Sequence, residues 1–337
     1  MIHEFTPLRF ALCMMIFCHH AYQYTGGGAP AVATFFILSG FCLSLGYRDR
    51  ILSNTFNFFN YIKVRFVKCY VIHWITLVAC ILISLYLGNL VIDKKMLLAN
   101  ALLLQSWIPV RSFYFSYNAI AWYLSTALFT YICFPMFISF LGKIAYRWHL
   151  IMFVIMLLCY GIIVYVMPSE KYHEMFYIHP ISRCVDFVMG LYLAEWYRRI
   201  DIERVKNKGW LFDMGILVSF VLLNVLGVYI HGNIKCVGAI FWFPSCLLIL
   251  CISLAAKTKS ILSRLLSLSI IQKATACSFS LMMWSLCVVH LFHGIYVEND
   301  VLGKMSMMLC AYLVALISHY VIEKKFMTWI ICKVQQV

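Results

Sequence analysis

Long apolar runs, each about as long as a bilayer is thick, recur from one end of the chain to the other and are separated by short polar clusters. They fall at approximately 7–24, 30–47, 69–91, 118–141, 149–167, 181–197, 210–230, 236–256, 276–297 and 305–322. Hydrocarbon offers no partners to backbone N–H and C=O groups, so runs of this length are predicted to be helices that satisfy their own backbone. The pattern therefore predicts an all-α fold: a polytopic integral membrane bundle of about ten transmembrane helices. Between the third and fourth runs, the stretch from Leu97 to Pro109 is too short and too interrupted to span, which suits an interfacial or re-entrant helix. Ile261 to Ile271 reads the same way. No polar segment is long enough for a separate fold and no internal repeat is visible, so a single transmembrane domain over 1–337 is expected, with no fused soluble domain. The first residues carry Glu4 and no basic cluster, so no removable signal peptide is expected.

Composition agrees with that picture and adds an orientation. Of the 337 residues, 64% are hydrophobic and only 12% charged, which excludes an ordinary water-soluble domain. The net charge of +14 does not form a continuous basic face, so nucleic acid is not an expected partner. With the N-terminus placed in the cytoplasm, 19 Lys and Arg residues fall in inside loops, against six outside: Lys94, Lys95, Arg111, Lys171, Lys235 and Lys304. That asymmetry predicts cytoplasmic N- and C-termini. The 15 cysteines are scattered through apolar runs with neither CxxC pairs nor His/Cys ligand spacing, so they read as small apolar fillers, and no metal is expected.

Ionisable residues inside a membrane are costly and point to function. Arg9 and His20 are 11 residues apart in the first run, a spacing that returns to within about 20° of one helix face with a displacement of about 16 Å. A guanidinium suits an anionic group, and an imidazole can take a proton from a hydroxyl. The alternative is structural: Arg9 snorkelling to the interface and His20 bonded to a neighbouring helix. His19 points about 100° away and is the weaker candidate. In the second run, the Ser39-Gly40 step allows a close helix approach or opens a polar notch. Gly26 to Pro30 breaks any helix and makes a pliable loop beside His20. Lys63, Arg65 and Lys68 precede the third run and could hold an anionic cofactor or lipid headgroups.

Taken in order, Arg9-x10-His20, the FFILSGF segment at 35–41 and Arg65-Phe66-Val67-Lys68-Cys69-Tyr70 resemble the signature of the membrane-bound acyltransferase family 3. Further segments are similar to its motifs: Leu104 to Pro109, Trp122-Tyr123-Leu124-Ser125 with Tyr131 and Pro135, His179-Pro180-Ile181-Ser182-Arg183 with Asp186 and Gly190, and Tyr320 to Lys324. The resemblance extends over nearly the whole chain. Departures occur where the family often has Glu and this chain has Ala127, where a second Arg is replaced by Lys68, and in the late Ser-Tyr motif, here Ser278-Phe279 through Ser285 with His290 and His293 beyond.

The resemblance implies a multi-pass bacterial inner-membrane O-acyltransferase, similar to the enzymes that O-acetylate surface polysaccharides. It implies an acyl-CoA, by preference acetyl-CoA, as co-substrate and a carbohydrate or lipid-linked glycan as acceptor, with His20 as general base and Arg9, the second catalytic residue, orienting the donor. Arg65, Lys68 and Ser39 would bind the donor, and Trp107, Trp122, His179 and Arg183 the acceptor. Other readings stay open: interfacial anchoring for the tryptophans, an ion pair of Arg183 with Asp186 three residues on, and for Glu323 a cap on the charged end of the last span. A lipid-linked glycan flippase or other transporter is the alternative function, although no inverted repeat or pair of broken helices speaks for it.

Overall fold

The computed structural model describes residues 2–24, 26–230, 238–295 and 301–335, which form helices joined by turns and loops, with no strand among them. Within them, fifteen α-helices follow one another: α1 Phe5–Tyr22, α2 Gly28–Leu52, α3 Phe58–Tyr86, α4 Lys94–Ala101, α5 Arg111–Tyr114, α6 Trp122–Lys143, α7 His149–Val166, α8 Pro180–Tyr197, α9 Gly209–Tyr229, α10 Trp242–Thr258, α11 Ile261–Leu266, α12 Ser269–Thr275, α13 Ser278–Gly294, α14 Val301–Ser318 and α15 Thr328–Gln335. Two π-helical stretches, His173–Ile178 and His319–Met327, interrupt the regular pattern. Lys235 lies outside the described residues.

Each of the ten apolar runs is matched by one long helix. Among the described residues, eight helical stretches are long and apolar enough to cross a membrane. The other two long helices, α1 and α8, are 18 residues each and contain Arg9, His19 and His20, or Arg183, Asp186 and Glu195. Those ionisable groups lower their hydropathy without shortening them. Helix α3 begins at Phe58, well before the apolar run at 69, because Asn57 caps it by accepting from the Asn60 N–H at 2.9 Å and the basic turn simply continues the helix. The stretch expected to be interfacial between α3 and α6 forms α4, a 3₁₀ turn at Gln105–Trp107 and the single turn α5. Asp93 starts α4 by accepting from the Lys95 and Met96 N–H groups. The second such stretch forms α11 and α12.

Helix α2 is the axis of the bundle. Its most apolar window is 78% buried, against 11% for that of α7, which lies at the periphery. Helix α8 packs most extensively on α2, α1 lies between α2 and α13, and α3 packs on α13 and α6. The α2–α8 contact depends on two glycines. A Cβ on Gly40 would stand 2.1 Å from the Phe187 carbonyl oxygen, and one on Gly190 would stand 2.0 Å from that of Ile37. The close approach expected of the Ser39-Gly40 step is therefore made, with α8 as the partner. Since no side-chain rotation relieves a clash with backbone, Gly190→Ala is expected to destabilise the bundle by about 1–3 kcal/mol. The unfolding temperature of detergent-solubilised protein checks this, and an unchanged value would mean that the helices are not in that contact.

Candidate active site

The chemistry-bearing residues form two groups joined by α1. At the end of the bundle where α1 finishes, a cavity of about 1040 Å³ opens among α1, α2, α13, the α5 turn and the π-helical stretch before α8. His20 lines it, and among the described residues its ring has an edge-on contact with His19, with centroids 5.1 Å apart. His19 also lines the cavity, but its Nδ1 is 3.0 Å from the Tyr24 carbonyl and its ring lies against Gly28, which ties it to the loop. Trp122 forms part of the wall, with its ring 5.1 Å from that of Tyr177. His290 and His293 of α13, Arg111 and His173 also line it. His173 accepts or donates at 3.3 Å with the Tyr114 hydroxyl and stacks on Tyr177, with centroids 5.2 Å apart. Burial, then the charges of Arg111 and Arg183, push its basicity down from the usual histidine range. Despite the five histidines, no three His, Cys, Asp or Glu side chains among the described residues converge closely enough to hold a metal ion.

At the opposite end of α1, cations gather inside the bundle. Arg9 Nη2 reaches the Cys42 sulfur on α2 at 3.5 Å. The Arg65 guanidinium lies over the rings of Tyr61 and Tyr131, at 5.3 and 5.4 Å, and its buried Nε has no hydrogen-bond partner among the described residues. Lys68 is accessible and within electrostatic reach of Arg65, Arg9 and Glu323. Like charges held this close in a bundle favour an anionic ligand between them.

Glu323 corrects an expectation. It does not cap the charged end of the last span; the π-helical turn at His319–Met327 carries it inward. There its carboxylate accepts from the Ser280 hydroxyl and lies 2.9 Å from His319 Nδ1. Trp284 Nε1 donates to the Ser318 hydroxyl at 3.0 Å, and Ser318 is 3.0 Å from that of Ser280. A π turn widens the helix and shifts the register beyond it, so later residues face a different neighbour from the one a regular period predicts.

Between the two groups stands a thin polar step. Tyr123 lines the cavity, Ser39 is near the phenols of both Tyr123 and Tyr131, and Tyr131 in turn covers Arg65. The neighbours Tyr123, Ser39 and Tyr131 thus link the cavity to the basic group.

Three of the residues named from sequence for the acceptor lie off the cavity. Arg183 is 1% exposed, with its Nη1 2.5 Å from Asp186 Oδ2 and its Nε donating to the Tyr177 carbonyl at 2.8 Å. The other Asp186 oxygen accepts from Trp242 Nε1. The ion-pair alternative is the one this geometry favours, and it braces the wall behind Tyr177. Trp107 and His179 meet each other instead, with ring centroids 5.5 Å apart, and His179 caps α8 by accepting from the Ile181 N–H. Conversely, the structure adds Arg111 and His173, which no motif marks as site residues. Both lie in connecting segments at the His20 end of the bundle, and that shared location is the only signal the sequence holds for them.

The comparisons with known proteins agree in direction. The model of the acyltransferase 3 family, described as an acyltransferase domain, matches residues 2–324. A relative from Streptomyces mycarofaciens, Acyltransferase MdmB, is 31% identical over 163 residues, covering 42% of this chain and 40% of the relative. The chain thus spans less than half the length of that curated relative. No solved structure matches.

Proposed function

Because the chain belongs to the acyltransferase 3 family, we propose that this multi-pass membrane acyltransferase moves an acyl group, acetyl by preference, from cytoplasmic acyl-CoA to a hydroxyl of a surface carbohydrate or lipid-linked glycan. The bacterial inner membrane is the proposed location, with both termini in the cytoplasm. The observation that carries this reading is the stripe on α1 that joins the cavity at His20 to the basic group at Arg9, about 16 Å away along the helix.

In this reading Arg9, Arg65 and Lys68 hold the phosphates of the donor, as fixed and mobile cations suited to them. The thioester arm extends past Ser39 towards His20. The acceptor sugar enters the cavity from the other side and stacks on Trp122. His20 removes the proton of the acceptor hydroxyl as its oxygen attacks the thioester carbonyl; the C–S bond then breaks and the thiolate takes up a proton. Holding both reactants at one imidazole supplies the remaining advantage, because a bimolecular encounter becomes a local one. Lipid headgroups surround both ends, and the mechanism asks nothing of a metal.

The test is transfer of label. Membranes containing the protein, given acetyl-labelled acetyl-CoA, are expected to accumulate a base-labile ester on glycan. Hydrolysis or uptake of label with no glycan ester formed would leave this reading without support.

A further inference from the structure

We propose that the acceptor carries an anionic group, a carboxylate or a phosphate, and that Arg111 at the cavity rim binds it. This rests on the acyltransferase reading above and narrows its substrate class.

The inference starts from the charge balance of the cavity. Among the described residues, its ionisable lining consists of Arg111, the five histidines and the phenols of Tyr123, Tyr172 and Tyr177, with no carboxylate among the lining residues. Glu174, next in sequence to His173, is not among them either. Elsewhere in the molecule arginines near carboxylates are paired: Arg48 with Glu195, Arg183 with Asp186, Arg198 with Asp49 and Arg204 with Asp201. Among the described residues, Arg111 has no such pair; its guanidinium carbon lies 6.0 Å from the centre of the Phe115 ring, which also lines the cavity.

The backbone that carries this charge is anchored. Arg111 opens α5, a single turn anchored by Tyr114, which is 1% exposed and bonded through its hydroxyl to His173. A guanidinium at the mouth of a cavity, with no carboxylate partner among the described residues, gains more from an anion than from the hydroxyls of a neutral sugar. Its planar fork matches a carboxylate or a phosphate with two parallel hydrogen bonds. His173, kept from ready protonation by burial and by Arg111 itself, leaves the guanidinium as the standing charge on this wall.

The test uses the full-length protein in membranes that contain the native glycans. After incubation with acetyl-labelled acetyl-CoA, the glycans are separated by anion exchange, one portion untreated, one after phosphatase and one after carboxyl reduction. Label is expected in the retained fraction, and the treatment that releases it identifies phosphate or carboxylate. For Arg111→Gln, the rate of labelling of that fraction at limiting acceptor is expected to fall about 10- to 100-fold, as for loss of a charge-assisted hydrogen-bonded pair. Arg111→Lys should lose less for a phosphate, which a point charge also serves, than for a carboxylate held by the fork. Label confined to the unretained fraction, or Arg111→Gln labelling the retained fraction at the wild-type rate, would overturn the proposal. Label in no glycan at all would instead defeat the acyltransferase reading, and this inference would fall with it.

Discussion

Replacing His20 with Ala is expected to lower acyl transfer by about 100- to 10,000-fold, the usual contribution of a positioned general base, while the protein still accumulates in the membrane. The asymmetry follows from where the side chain stands. His20 faces an open cavity and its contact among the described residues is with His19, so truncation removes a proton acceptor and little packing. His20→Gln is the sharper variant, since it keeps a polar side chain of similar reach and cannot accept the proton in the same way. Both are measured as initial rates of ester formation, normalised to the amount of protein in the membrane. A normal rate in either would remove His20 from the chemistry and leave Arg9 without its partner on the same stripe.

The largest effect on stability is expected at Asp186. Its carboxylate neutralises a guanidinium that is 1% exposed, and it accepts from Trp242 as well. Asp186→Asn leaves that guanidinium in the interior with no counter-ion, which costs about 3–5 kcal/mol when one partner of a buried pair is removed. The double variant Arg183→Met with Asp186→Leu removes both charges and should recover much of that loss, because two apolar side chains of similar volume need no compensation there. Thermal unfolding of the solubilised protein checks both. If Asp186→Asn melts like wild type, the pair is not what braces the wall behind Tyr177.

Membrane architecture is unusually legible in this sequence, for a physical reason. Lipid forces every spanning segment to be a long apolar helix, so the ten runs can be read directly, and the Gly40 contact follows from the need for small residues where two backbones meet. Local pattern does not show the destination of side chains set by tertiary contacts. Arg183 and Asp186, three apart, fit an ion pair or a site equally well until the surrounding wall of Tyr177 and Trp242 is in view. Glu323 departs from its expected place because a π turn cannot be inferred from a regular helical period. In the sequence Arg111 is one more loop charge. Nothing there tells that Arg111, at the start of α5, lines the cavity.

The step formed by Tyr123, Ser39 and Tyr131 has a bearing on the cell as well as on catalysis. Phe36 lies against Tyr123 at 4.9 Å, and Phe36 and Ile37 are 0% exposed, so side chains pack closely around the Tyr123 end of this step. On the proposed reading, an acyl arm passing so closely packed a step would fill it as it goes, and ion gradients across the bilayer need not leak through it. Widening it, for instance by trimming Tyr123, would put energy conservation at risk before it helped any substrate through.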